Sequence, residues 1–290
     1  MFARIRSGRG LGDALYLQSI VRYLVRRGET LEVCTDYPEL YRFRGMVRFA
    51  AWSRQVHYTC HYTRQKGDER TTQFVDMHRN IGIKGPVPLH LDWIVQNPKL
   101  VEGIRQLAGA RPVLFVHGGR EAFGRSDGFG RALLPDAEAF RGVLAKLRER
   151  FFTVYVGNGK RLFEVETDLD LNGKTSITDL IDIAYAAADA FFAQASFAIP
   201  LAESFDKRIL VMFAARGFKS HHQAVRTITP KKLLHKMSST YNIDNWDYAR
   251  TQNSIDQFCE PRARGGVVCG ETGGDCGECA LGIAQSGIGY

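Results

Sequence analysis

Asp13 closes a glycine-rich run, Ser7-Gly-Arg-Gly-Leu-Gly12, at the point where an apolar helical pattern begins. A carboxylate there can do two things. As a helix N-cap it accepts N–H bonds from the first turn and favours the positive end of the helix dipole. As a general base it takes a proton from a hydroxyl brought within hydrogen-bond reach, an approach that glycines leave open. Gly8, Gly10 and Gly12 do not fit G-x-G-x-x-G, which argues against a dinucleotide site. A second set, His117-Gly118-Gly119-Arg120, follows an apolar run. Its backbone N–H groups, with Arg120 or Arg125, suit a diphosphate, although a tight turn with exposed arginines has the same pattern. Ser196 and Glu203 flank another short apolar stretch. Ser196 can cap the helix containing Leu201 and Ala202. Glu203 is open between a ribose-diol ligand and an exposed helix glutamate.

Four of the six cysteines, Cys259, Cys269, Cys276 and Cys279, crowd into the last 32 residues with spacing C-x9-C-x6-C-x2-C. Together they could form a tetrahedral structural zinc site among flexible glycines, with reduced thiols in a tail as the alternative. Cys34 and Cys60 read as small buried hydrophobes. Basic residues are unevenly spread. Met1 to Arg70 holds 13 basic and 7 acidic residues, and Ala214 to Lys236 holds six basic and no acidic ones. Arg42, Arg44, Arg48 and Arg54 alternate with Tyr41, Phe43, Phe49 and Trp52, a mixture suited to a polyanion whose sugars or bases stack on rings. A strand whose aromatics face the core would look the same. Phe218, in the basic stretch Arg216 to Arg226, could add stacking to phosphate contacts.

These residues need elements to hold them. Phe2 to Arg6 reads as a strand, and Ala14, Leu17, Ile20, Val21, Leu24 and Val25 give one apolar helical face behind Asp13 as N-cap. Gly28 ends that helix, and Leu31 to Thr35 is the next strand. This βαβ start implies a parallel sheet. Gln55 to Thr59 alternates like a strand, Thr71 to Asn80 reads as a helix and Val87 to Leu91 as extended. A second series follows a seam near residues 95–111: helix Leu100 to Leu107, strand Val113 to His117, and a helix opened by Pro135. Strand Phe152 to Val156 comes next, then a helix started by Ser176 and Asp179 as a capping box, and strands Ala190 to Ala193 and Ile209 to Phe213. The net charge of +8 and 44% hydrophobic content fit a globular chain with polyanionic partners. No run approaches the ~18 apolar residues of a membrane span, and no apolar segment suggests a secretory signal, so a cytoplasmic setting is expected.

Gly10 to Leu24 resembles the N-terminal motif of the heptosyltransferase-like proteins, glycosyltransferase family 9, which open with a strand, a Gly-Asp turn and a long helix. Val113 to Gly119 resembles the family's strand ending in His-Pro-Gly, and Val154 to Gly159 its later strand ending in glycines. Ala195 to Ala202 falls on its Asp-Ser-Gly-Pro-x-His-Leu-Ala loop, where Ser196, Leu201 and Ala202 match. Ala195 stands where the family has Asp, and Pro200 where it has His.

The resemblance covers roughly residues 1–215. It implies an α/β, GT-B fold of two Rossmann-like domains facing a cleft: residues 1–110 on the acceptor side, 111–236 on the donor side, and a Cys-containing extension at 237–290. It also implies an inverting transfer from a nucleotide-sugar donor without a catalytic metal. Asp13 would be the base, and His117, Gly118, Gly119, Arg120, Ser196 and Glu203 would line the donor pocket. Similar N-terminal motifs occur in bacteriophage proteins, so a hydroxymethylated base in DNA, contacted by Arg44 and Arg48, is the expected acceptor. The alternatives are a lipopolysaccharide or surface glycan as acceptor, or a degenerate binding protein, which Ala195 and Pro200 would favour.

Overall fold

The computed structural model describes residues 2–41, 46–61, 73–85, 87–118, 137–159, 161, 164–194, 196–212, 255–256 and 258–259. By its internal contacts the chain divides into Met1–Cys259 and Glu260–Tyr290, and everything described below belongs to the first unit.

Two parallel sheets organise it. The first has the order β3-β2-β1-β4, built from β1 (Ala3–Arg6), β2 (Leu31–Cys34), β3 (Val47–Ala50) and β4 (Tyr58–Thr59). Helix α1 (Leu11–Arg26) crosses from β1 to β2, and α2 (Gln73–Arg79) follows β4. After α3 (Pro98–Ala108) comes the second sheet, ordered β7-β6-β5-β8-β9. Its strands are β5 (Val113–His117), β6 (Phe152–Tyr155), β7 (Leu169–Asp170), β8 (Ala190–Gln194) and β9 (Arg208–Met212). Helices α4 (Ala137–Arg148), α5 (Ile177–Asp182) and α6 (Ala198–Ser204) connect them, and a π-helical turn, Ile183–Ala187, extends α5.

The strands of the second sheet are apolar on both faces because both faces are covered. Val113, Phe115, Val154, Phe191, Ala193 and Val211 join a core that continues through α1 and β1 of the first sheet. Leu114, Val116, Phe192 and Leu210 turn the other way, against Phe140, Val143 and Leu147 of α4. Ile255 and Phe258 complete that second cluster. Thus one hydrophobic cluster runs through both sheets.

Asp182 fastens the segment that passes between them. It is fully buried, and its carboxylate accepts hydrogen bonds from Trp93 Nε1 at 2.6 Å, Gln96 N at 2.9 Å and Asn97 N at 2.6 Å. Asn97 in turn caps α3 through Leu100 N at 3.1 Å and donates to Asp179 at 2.9 Å. Asp179 belongs to the expected capping box with Ser176, which is present.

Several expectations need adjusting. Helix α1 begins two residues before Asp13, because Gly10, in extended conformation, is the N-cap. Asp13 is instead the third helical residue, and its carboxylate reaches back to the Gly10 N–H. Only Tyr58–Thr59 of the Gln55–Thr59 segment pairs, whereas Val47–Ala50 forms an edge strand that its sequence does not announce. The last strand starts one residue earlier than expected, at Arg208, and Phe213 lies outside the described residues. Gly28 closes α1 at φ +88°, the left-handed conformation expected of it. Pro135 lies outside the described residues.

Removing the Asp182 carboxylate strands three N–H donors in or beside the core, each worth about 1–3 kcal/mol. Asp182→Ala is therefore expected to lower unfolding free energy by about 3 kcal/mol or more, read from urea denaturation. A change below about 0.5 kcal/mol, the size typical of surface substitutions, would show that the crossing segment does not depend on it.

Candidate active site

In each sheet the chain builds outward on one side of the first strand and then returns to its other side. The reversals fall between β1 and β4 and between β5 and β8. Crevices at the carboxyl ends of strands beside such reversals are where open α/β sheets bind ligands. The Asp13 loop follows β1, His117 ends β5 and Ser196 follows β8, so all three occupy such positions.

Contacts draw them together. Helix α1 packs against α6. A Cβ placed on Gly12 would lie 3.5 Å from Phe197 Cα and 3.7 Å from Pro200 Cγ, so the start of α1 rests on the start of α6. The Phe197 ring meets the His117 ring edge-on, with centroids 4.7 Å apart. His117 Nδ1 lies 3.3 Å from Ser196 Oγ, and the same hydroxyl accepts from Ala198 N at 3.3 Å. Gly12, next to Asp13 in the chain, thus rests on Phe197, which in turn meets His117. Phe197 has no signal in the sequence beyond being apolar.

The Asp13 carboxylate is pressed into the glycine loop. A Cβ on Gly8 would collide with it, and one on Gly10 would come within 3.2 Å of Oδ2. Burial pushes its pKa above the usual carboxylate range, and the Gly10 N–H pulls partly the other way. Proton affinity raised in this manner suits a base.

His117 is buried, at 5% exposure. The Gly118 N–H meets the Tyr155 hydroxyl, whose own pKa burial raises, so this glycine does not hold its donor out to a ligand. A side chain at Gly118 would press to 2.8 Å from that hydroxyl, which accounts for the glycine. Gly119, Arg120 and Arg125 lie outside the described residues.

Glu203 is neither of the two things expected. It is 7% exposed, and neither carboxylate oxygen has a hydrogen-bond partner among the described residues or contact with solvent. It therefore faces no open ribose site. Position 203 falls on a face of α6 that packs into the core, along with Ile199 and Ala202. Burial raises its pKa well above the ordinary 4.5.

The basic and aromatic stretch also departs from expectation. Arg44 lies outside the described residues. Arg48, on edge strand β3, stacks over Phe2 at 4.2 Å. Tyr41 is buried and donates to Ala14 O at 3.1 Å, so its ring belongs to the core. Trp52 donates to Ser7 O at 3.0 Å and carries the guanidiniums of Arg6 and Arg9 at 4.9 and 5.6 Å. These two arginines, beside the Asp13 loop, are cations that sequence spacing did not single out, and Arg9 is paired with Asp36 at 2.8 Å. Cys259 packs against the α4 cluster, and burial raises its thiol pKa. The other three clustered cysteines lie outside the described residues, among which no group of three potential metal ligands occurs. Nor is any helix among them long and apolar enough to cross a membrane.

No protein-family model and no curated protein matches the sequence. Solved structures do match. The ADP-heptose LPS heptosyltransferase II of E. coli aligns over 89% of this chain and 98% of its own, with TM-score 0.57 and 12% identity. A family 9 glycosyltransferase from Veillonella parvula DSM 2008 aligns over 89% and 97%, with TM-score 0.60 and 9% identity. The fold is accordingly α/β of the GT-B kind.

Glu203 provides a test of the burial. A carboxyl whose pKa is raised in the folded state keeps its proton while the unfolded chain loses it, so stability falls as pH rises from about 4.5 upward. Glu203→Gln does not titrate. Its melting temperature should gain on that of the wild type progressively between pH 5 and pH 8. Parallel melting profiles across that range would place the carboxylate in solvent.

Proposed function

We propose that the protein is an inverting glycosyltransferase of the family 9, heptosyltransferase-like kind. It moves a sugar from a nucleotide-sugar donor of the ADP-heptose type to a hydroxyl of a lipopolysaccharide-like or surface glycan. The observation that carries this reading is Asp13: a desolvated carboxylate in a glycine loop at one sheet's reversal point, a single helix contact from the His117–Ser196 pair at the other's. The match in fold to two glycosyltransferases, over 89% of this chain, supports it.

In this reading residues 1–110 hold the acceptor, residues 111–236 the donor, and 237–290 form an extension. The acceptor oxygen attacks the anomeric carbon from the face opposite the diphosphate, so configuration inverts. Asp13 takes the hydroxyl proton as the new C–O bond forms. The anomeric C–O bond to phosphate breaks, and its electron pair leaves with the nucleoside diphosphate. His117 and Ser196 face that departing group, with Gly119 and Arg120 as further donors to it. Arg6 beside the Asp13 loop suits a phosphate or carboxylate group on the acceptor glycan, whereas Arg9 is already paired with Asp36 at 2.8 Å. A glycan is favoured over DNA because the rings that would stack on bases are engaged elsewhere: Tyr41 in the core and Trp52 beneath two guanidiniums.

Asp13→Asn keeps an oxygen that can accept from the Gly10 N–H but cannot take a proton. Transfer from ADP-heptose should fall by about 10²–10⁴ with little change in melting temperature. The wild-type rate should fall on acidification at a pH above the ordinary carboxylate range, since burial raises the Asp13 pKa and only the ionised form is a base. ADP release measured across pH checks both. Near-wild-type turnover by a normally folded Asp13→Asn protein would remove Asp13 as the base.

A further inference from the structure

The opposite, amino-terminal edge of the second sheet carries a cavity of about 640 Å³ between the starts of β5, β8 and β9, the end of α3 and the π-helical turn. Roughly 15 Å of strand separates it from His117, so it belongs to neither donor nor acceptor in the transfer reading. Arg105, Arg111 and Lys207 line it, against one acid among the described residues, Asp189. Arg111 is paired with Asp168 at 3.0 Å, and Asp189 accepts from Val113 N at 2.8 Å. Arg105 and Lys207 have no carboxylate within ion-pair distance among the described residues. Each is fixed by a backbone carbonyl instead, Arg105 by Ala186 O and Lys207 by Ala188 O at 2.7 Å.

The fold holds these two cations close together. α6 ends in a Schellman turn: Asp206 takes φ +50°, its N–H bonds Glu203 O at 3.1 Å, and Lys207 N bonds Ala202 O at 2.8 Å. That turn delivers Lys207 into the cavity. Burial lowers the Lys207 pKa; Asp189 raises it, and the nearby Arg105 charge lowers it further. Two neighbouring cations in a partly desolvated pocket repel each other, and an anion between them removes that cost. Both retain N–H groups that the carbonyls do not use.

The cavity also has a ring surface. Tyr185 is 41% exposed, and its ring rests on Phe205 at 5.0 Å, which leaves it presented to the cavity it lines. The volume lies within the 300–1,000 Å³ usual for small-molecule sites, far more than a bare phosphate fills.

We propose that this cavity binds a phosphorylated ring compound, its phosphate between Arg105 and Lys207 and its ring against Tyr185. A nucleoside monophosphate and a sugar phosphate share that chemistry, so AMP and glucose 6-phosphate are the probes. Calorimetric titration of the full-length protein should show binding of at least one of them, the tighter one telling base from sugar, and none of adenosine. Arg105→Gln removes a charge-assisted contact and should weaken binding about tenfold, whereas His117→Ala should leave it unchanged. Arg105 is an exposed contact on α3, so the variant is expected to melt as the wild type does. Two results would overturn the site: no binding of either phosphate, or an affinity that survives Arg105→Gln. Loss of binding in His117→Ala would assign the ligand to the transfer cleft instead.

Discussion

Asp182 has no solvent exposure, and among the described residues its carboxylate is compensated by the N–H groups of Trp93, Gln96 and Asn97. Those donors come from the segment that leaves the first sheet and enters α3. The crossing can shift only by leaving buried polar groups unpaired, a penalty of several kcal/mol when one partner of such a cluster is lost. The hydrophobic core through both sheets is non-directional and would tolerate sliding. The carboxylate does not. It fixes one register of the segment entering α3 against α5, while α1 packs on α6 through Gly12 against Phe197 and Pro200.

Much of this was legible in the chain because local rules and tertiary demands agree there. The apolar face behind Asp13, Gly28 at positive φ, the Ser176–Asp179 box and the apolar strands of the second sheet are each dictated by a few neighbouring residues. The start of helix α1 is ambiguous in the sequence, because an aspartate after glycines fits an N-cap and the third helical position equally, and only backbone geometry separates them. Val47–Ala50 carries Arg48 and Phe49 exposed on a sheet edge, so it lacks the alternation that betrays a half-buried strand.

The site was legible in type and position but not in contact. Sequence offered Asp13, His117 and Ser196 as separate candidates from three distant segments; what joins them is Phe197, which looks like any core residue. Arg6 and Arg9 escaped notice because they belong to a strand end and a turn, and Trp52, which organises them, lies more than 40 residues away. Glu203 misled for the opposite reason. A glutamate in a short helix is ordinarily exposed, and nothing local announces that this helix is covered on all sides.

Helix α6 shows how such a residue is tolerated. Ala198, Ile199, Leu201 and Ala202 are fully buried, and burying an Ile or Leu side chain contributes about 1.5–3 kcal/mol. A neutral carboxyl buried without a partner costs about 1–3 kcal/mol, so the two large side chains alone offset it. Charge, not polarity, is what the helix cannot accommodate, and the raised pKa of Glu203 is the form that limit takes. Seven residues span only about 10 Å. One end of α6 carries Pro200 against Gly12 beside Asp13, and the other turns through Asp206 into Lys207. Pro200 occupies the third helical position, inside the first turn, where a missing N–H breaks no helical bond. Pro200, one of the residues that depart from the resembled motif, therefore leaves the helix intact and supplies packing to α1 in place of a polar side chain.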